Sequence, residues 1–123
     1  MPKFCVHEHW ASHHHWDLRL EMDGVAKSWA VPKEPPLDTT TKRLAIQVDD
    51  HALEYMKFEG EIEEGQYGAG KVKIWDQGKY DLVDRKPDKI VADLHGKKLK
   101  GEYVLVKFKR AGENQWLLFK KKE

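Results

Sequence analysis

Apolar residues in this chain recur at every second position, and that period limits its fold more than any other feature. The clearest run is HWDLRLEM, residues 15–22, with Trp16, Leu18, Leu20 and Met22 on one side and His15, Asp17, Arg19 and Glu21 on the other. Successive side chains of an extended strand point to opposite faces, so this run reads as a strand with one face committed to a core. Asp23-Gly24 follows and fits the tight turn of a hairpin. The return strand, Val25 to Val31, stops at Pro32, and KEPPLDTTT then reads as a loop from its Pro, Asp and Thr content.

The alternation continues in RLAIQVDD. Its spacing predicts a strand with Leu44, Ile46 and Val48 on the apolar face, Arg43, Gln47 and Asp49 on the polar one, and His51 in the polar register beyond. Leu53 to Tyr55 carries a weak signal for a helical turn. Further strands are expected at Lys71–Trp75, Lys79–Val83, Ile90–Leu94, Glu102–Lys109 and Gln115–Phe119, with connections at Asp76-Gln77-Gly78, His95-Gly96 and Ala111-Gly112-Glu113-Asn114. Seven or eight short strands in 123 residues close most simply into a barrel or pack as a sandwich. The expectation is an all-β, compact single-domain barrel over residues 1–123, with little helix. EGQYGAG, residues 64–70, lacks the G-x-G-x-x-G spacing and is followed by the alternating KVKIW, so it reads as a turn or bulge rather than a dinucleotide loop.

Composition narrows the function classes. The net charge is +1, so phosphate binding has to rest on a local cluster and not on a global field. The basic C-terminal residues Lys107, Lys109, Arg110 and Lys120 to Lys122, near Trp116 and Phe119, could track a nucleic-acid backbone, although a solvated rim is the simpler reading. The single Cys5 has no partner for an internal disulfide, and charged residues and His begin almost at once, so no signal peptide is expected. No apolar run approaches the roughly 20 residues of a membrane span. A cytoplasmic protein, with no membrane partner, is expected.

The densest chemistry lies in HEHWASHHHWDLRLE, residues 7–21, which holds five His together with Asp17, Arg19 and two Glu. A solvated strand face, or a His-rich tag remnant, would account for such a run. Against that, a strand sets His15, Asp17 and Arg19 side by side at about 6 to 7 Å, and the opposite face is built for a core. An imidazole and a carboxylate can ligate one Mn²⁺ or Zn²⁺, and an adjacent guanidinium can hold a phosphate oxygen. His9 can supply a third ligand from the preceding strand or turn, whereas His13 and His14 suit structural or solvent-facing roles better. Asp49 and His51 lie on the second polar-faced strand; His51 is a candidate phosphate ligand, general acid or metal partner. Lys33 can add positive charge, or be a solvated loop lysine.

These residues carry a resemblance. HEHWASHHHWDLRLEMDGVAKSWAVPK, then KRLAIQVDDHALEYMKFEGEIEEGQYGAGKVKIWDQGKY, and the closing GEYVLVKF and QWLLFKKKE, are similar to the 3′-phosphoesterase domain of bacterial DNA ligase D. The motifs are H-x5-H-x-D-x-R-L-E-x-D-G and D-H-x3-Y. The resemblance implies a compact β-barrel that trims 3′ ends during DNA end joining. It implies His9, His15 and Asp17 as metal ligands, with Mn²⁺ the favoured ion and Zn²⁺ or Co²⁺ as alternatives. By the same resemblance Arg19 and His51 would grip the scissile phosphate, with Tyr55, Lys33 and Asp49 accessory. The reaction implied is removal of a 3′-terminal ribonucleoside from a primer strand to leave a 3′-phosphate, then hydrolysis of that phosphate.

The chain departs from the family pattern at two positions. His7 stands where the family commonly has Gln, and Asp49 where it has Glu. Many members also carry an N-terminal arm with further functional Arg, Asp and Glu residues, and this chain begins just upstream of the first motif strand. The chain is expected to be a free-standing monomer acting on nucleic-acid 3′ ends beside separate ligase and polymerase proteins. Two other functions fit the same residues: a non-catalytic module that binds nucleic-acid ends through a metal, and an enzyme that processes 2′,3′-cyclic phosphates.

Overall fold

The strict alternation of residues 15–22 is realised as the second strand of a closed sheet. A computed structural model describes residues 1–66 and 68–122. Tyr67, within the 64–70 segment, and the terminal Glu123 lie outside the described residues. The strands are β1 (Lys3–Trp10), β2 (His14–Met22), β3 (Val25–Val31), β4 (Lys42–His51), β5 (Gly60–Ile62), β6 (Gly70–Lys86), β7 (Lys89–His95), β8 (Lys100–Lys107) and β9 (Gln115–Lys120). Two short 3-10 turns, Leu53–Lys57 and Ala111 with its two predecessors from Lys109, are the helical structure among the described residues. The Leu53–Lys57 turn matches the weak helical signal there.

All neighbours pair antiparallel. Eight strands run β1-β2-β3-β4-β9-β8-β7-β6, and β6 pairs back onto β1 to close the barrel. The short β5 adds to β6 beside its first residues, with Ile62 opposite Gly70. Closure leaves no long open edge on the barrel wall, which removes the usual route to edge-to-edge aggregation. The all-β barrel expected from the period is what the chain forms.

Two local expectations are corrected. Asp76-Gln77-Gly78 is not a turn; β6 runs straight through it as a 17-residue strand. That length serves two pairings, with β1 along Lys71–Lys79 and with β7 along Lys79–Lys86. The Asp76 carboxylate turns a different piece of chain. Buried in the wall, it accepts the backbone N–H groups of Lys97 and Leu99 at 2.9 and 2.8 Å, and of Lys98 at 3.1 Å, and so holds the β7–β8 connection. Gly78 packs against the carbonyl of His95, where a Cβ would collide with backbone.

The phase of β4 is also the reverse of the expected one. Ala45 is the fully buried residue, while Leu44 faces outward and Ile46 and Val48 are half-buried. The reason lies across the ladder. Ala45 is paired with the inward Trp116 of β9 and Gln47 with the inward Trp29 of β3, and residues paired across a ladder share a face, so the odd-numbered residues of this stretch point to the core.

Elsewhere the core follows the alternation. Phe4 and Val6 of β1, Leu18 and Leu20 of β2, and Trp29 and Val31 of β3 are almost completely buried and meet Leu94, Leu105 and Leu118 from the far wall. Each such side chain contributes about 1.5–3 kcal/mol on burial. Because inward residues are even-numbered on β1 and β2, the odd-numbered ones line the outer wall. There Cys5, His7 and His9 stand opposite Arg19, Asp17 and His15 respectively.

A candidate metal centre on the outer wall

The outer faces of β1 and β2 carry a polar cluster that is nonetheless buried. Asp17 and Arg19 are 6% and 3% exposed, His9 is 6% exposed, and His7 is inaccessible. The cover comes from the Leu53–Lys57 turn and the segment after it. Polar groups survive burial only when paired, and each of these is.

The imidazoles are oriented by backbone carbonyls. His9 places Nε2 at 2.7 Å from the carbonyl oxygen of Gly68, and His15 places Nδ1 at 2.8 Å from that of His13. A carbonyl oxygen only accepts, so each of these nitrogens carries its ring proton, and the opposite nitrogen, which faces Asp17, is the one that can give up its proton to present a lone pair to a cation. Those opposite nitrogens converge on one carboxylate oxygen. Oδ2 of Asp17 lies 3.3 Å from Nε2 of His15 and 3.8 Å from Nδ1 of His9.

The donor set suits a divalent ion. One nitrogen or oxygen from each of His9, His15 and Asp17 lies within 4.8 Å of the others. Two imidazole lone pairs and one carboxylate form the set that first-row ions accept with positions left over, and carbonyl partners on the outer nitrogens fix such ligands for a metal. Gly68 sits at φ +75°, and a Cβ there would lie 3.5 Å from Cε1 of His9. The loop therefore presses its backbone onto the ligand. A second grouping, Asp81, Asp93 and His95, lies on β6 and β7. There Nε2 of His95 is engaged by Asp81 in a pair at the exposed surface, which raises the His95 pKa.

Arg19 backs the cluster. Its Nε donates to Nδ1 of His7 at 2.9 Å, one terminal nitrogen donates to Oγ of Ser28 at 2.8 Å, and the other donates to Oδ2 of Asp17 at 3.2 Å. One N–H on each terminal nitrogen remains beyond these bonds. The guanidinium carbon lies 4.8 Å from the ring centre of Tyr55, a cation–π distance. Tyr55 in turn stacks on His51 at 4.6 Å and on Phe58 at 5.2 Å.

Electrostatics follows from this packing. Burial works to raise the Asp17 carboxyl, but hydrogen bonds from His15 and His9 and the Arg19 charge outweigh it and hold it well below the usual carboxylate range. The His15 imidazole is raised, chiefly by its hydrogen bond to Asp17. Burial and the Arg19 charge push His7 down to about 4, and push His51 down as well.

The structure thus brings together His9, His15, Asp17, Arg19, His51 and Tyr55. Lys33 lies exposed in the bend after β3, and Asp49 lies exposed on β4; neither makes a hydrogen bond to the cluster among the described residues. Three partners were not assigned from sequence: His7 as the acceptor for Arg19, Ser28, and the Gly68 carbonyl. Ser28 falls on the outward register of β3 opposite Arg19, a placement readable once the hairpin turn is known. His13 is exposed, and His14 is sandwiched between Trp10 and Trp16 and bonded to Glu8, outside the centre.

Fold and site together define a small closed β-barrel domain with a His–His–Asp centre and a buried arginine on its outer wall. The sequence profile of the DNA ligase D 3′-phosphoesterase domain matches residues 7–107. Over 127 residues the chain is 46% identical to the multifunctional non-homologous end joining protein LigD of Pseudomonas aeruginosa, covering 98% of this chain and 15% of that protein. It is 47% identical over 118 residues to the non-homologous end joining DNA repair protein LigD of Mycobacterium tuberculosis, covering 93% of this chain and 15% of that protein. The LigD protein of Mycolicibacterium smegmatis is 43% identical over 132 residues, with 98% and 17% covered. The chain belongs to the DNA ligase D 3′-phosphoesterase domain family. It spans less than a fifth of the length of these curated relatives.

Proposed function

We propose that this chain is a metal-dependent phosphoesterase that processes nucleic-acid 3′ ends in DNA end joining, removing a 3′-terminal ribonucleoside to leave a 3′-phosphate and then hydrolysing that phosphate. The observation that carries this reading is the convergence of His9 Nδ1, His15 Nε2 and Asp17 Oδ2 beside the buried Arg19. Family membership supports the ester class, and the names of the relatives support the end-joining setting.

His9, His15 and Asp17 would hold the ion, for which Mn²⁺ is the proposed choice. When bound, such an ion supplies Lewis-acid polarisation of a phosphoryl oxygen and a low-pKa water. The protein's own residues do the rest. Arg19, locked by His7, Ser28 and Asp17, holds a fixed positive charge and keeps two N–H groups for phosphate oxygens. His51, with its pKa lowered, offers a neutral ring nitrogen beside the phosphate to donate a hydrogen bond or accept a proton. Tyr55 covers Arg19 and fixes the His51 ring by stacking. Lys33 and Asp49 take accessory roles in this reading. The setting is cytoplasmic, with end-joining ligase and polymerase activities as partners and this domain acting as a monomer.

The test is a DNA primer carrying a single 3′-ribonucleotide, incubated with Mn²⁺, Zn²⁺ or Co²⁺ and either the unmutated chain or Asp17→Ala. Shortening to a 3′-phosphate end, followed by its conversion to a 3′-hydroxyl, by the unmutated chain alone is expected. A primer left intact with every metal would overturn the proposal. A parallel primer with a 2′,3′-cyclic phosphate end separates cyclic-phosphate processing from the diesterase reading.

A further inference from the structure

The outer wall continues past Arg19 into a second feature that the metal centre does not use. Beyond the Arg19–Cys5 pair, the backbone N–H of Lys3 meets the Glu21 carboxylate, and Lys3 in turn faces Lys79 of β6. The Leu53–Lys57 turn overhangs this stretch and encloses a groove of about 530 Å³. That volume falls in the range of about 300–1,000 Å³ usual for small-ligand clefts.

The lining is apolar at the bottom and polar at the rim. Cys5, Leu53 and Met56 form the floor and the overhang, with Cys5 at 1% and Met56 at 7% exposure. The exposed Gln77 brings an amide that both donates and accepts hydrogen bonds. Lys3, Lys57 and Lys79 stand at the rim. Two carboxylates, Glu21 and Glu54, also line it, and Glu21 is engaged by the backbone N–H of Lys3 at 2.8 Å. The same turn contributes Tyr55 to the Arg19 side and Met56 to the groove side, so the two spaces share one wall.

We propose that this groove seats the base of a nucleotide flanking the phosphate bound at Arg19. A flat aromatic ring matches an apolar slot with two sulfur-bearing side chains, since sulfur packs favourably against aromatic rings. Gln77 can meet the polar edge of the base, and the rim lysines can follow the phosphate backbone away from the site. The proposal rests on the phosphoesterase reading for the identity of the phosphate, but the groove can be tested without turnover.

The experiment titrates adenosine 3′-monophosphate and inorganic phosphate into the unmutated chain, Gln77→Ala and Leu53→Trp, the last of which fills the groove from a half-exposed position. The nucleotide is expected to bind the unmutated chain at least about tenfold more tightly than phosphate. Leu53→Trp should abolish that advantage while leaving phosphate binding in place, and Gln77→Ala should reduce it. Equal binding of the two ligands, or an advantage that persists in Leu53→Trp, overturns the proposal. Cleavage assays on primers with an abasic residue at the terminal or the penultimate position then say which base enters, because the penalty of Leu53→Trp should vanish for one of the two. A chain that cleaves nothing yet prefers the nucleotide would sink the phosphoesterase reading and leave the groove standing. A chain that cleaves base-bearing and abasic ends alike would do the reverse.

Discussion

Arg19 and His7 meet on the outer wall of the barrel, with Nε of the guanidinium donating to Nδ1 of an imidazole that has no contact with solvent. His7 donates a hydrogen bond from Nε2 to the carbonyl oxygen of Phe58 at 3.0 Å, which ties Arg19 to the segment that covers it. The pair is a relay of position: β1 holds the ring, the ring holds the guanidinium, and the guanidinium holds Asp17.

Replacing His7 therefore has a graded effect. His7→Ala strands a buried N–H and a buried carbonyl, and should cost about 1–3 kcal/mol in denaturant unfolding as well as slowing cleavage. His7→Gln, whose amide can accept from Arg19 and donate to Phe58, should stay within about 1 kcal/mol of the parent. Equal losses in the two variants would show that the imidazole serves some other purpose.

Asp17 and Arg19 form a buried ion pair at 3.2 Å. Asp17→Ala leaves the guanidinium without its counter-charge and should destabilise the metal-free chain by about 3–5 kcal/mol. Adding Arg19→Met should recover part of that loss. A double variant less stable than Asp17→Ala would contradict this account of the pair.

Gly68→Ala places a side chain on a left-handed backbone position against His9. The strain should shift the carbonyl that orients the ring and weaken Mn²⁺ binding by about 10- to 100-fold, the range seen when outer partners of metal ligands are lost. Calorimetric titration of Mn²⁺ reads this directly, and unchanged affinity would mean that the Gly68 contact does not set the ligand.

Asp76→Ala should behave in the opposite way. It removes the acceptor for the N–H groups of Lys97, Lys98 and Leu99 and should lower stability by about 2–4 kcal/mol, while Mn²⁺ affinity stays at the parent value.

Alkaline pH should unfold the barrel through two tyrosines. Tyr80 donates to the carbonyl of Glu21 at 2.6 Å and Tyr103 to that of Pro36 at 2.8 Å, and burial pushes both hydroxyls up to about 12. In the unfolded chain they ionise near the ordinary value of about 10. Their contribution is fully present below that pH and is lost as pH rises toward about 12, because only the unfolded chain releases protons in that window. Stability measured across the window should fall by up to about 2 kcal/mol per tyrosine, and Tyr103→Phe should flatten the slope. A slope unchanged in that variant would assign the alkaline loss to other groups.

Much of this was legible in the sequence, and the exceptions have physical causes. β2 could be read because Leu18 and Leu20 are large and its polar residues alternate with them without a break. The phase of β4 could not, since its core residue is Ala45 and alanine carries too little hydrophobic signal against Leu44, Ile46 and Val48. Asp76-Gln77-Gly78 has the composition of a turn, yet its Asp bonds a segment about twenty residues later, which no local pattern announces. His15 and Asp17 could be paired from spacing alone. What fixes His7 and His9 could not, because the carbonyls that orient them lie 51 and 59 residues away in sequence.

The candidate metal centre and the core use alternate residues of the same two strands, Phe4 and Val6 against His7 and His9, Leu18 and Leu20 against Asp17 and Arg19. A nucleic-acid end docking there as proposed would not have to thread a mouth or a channel, and the length of the molecule behind it would be no obstacle to reaching the site. The same interleaving gives evolution two nearly independent alphabets on one stretch of chain. Inward letters can drift in size while the outward ones keep their chemistry, and a single-residue insertion in either strand would exchange the two and destroy both at once.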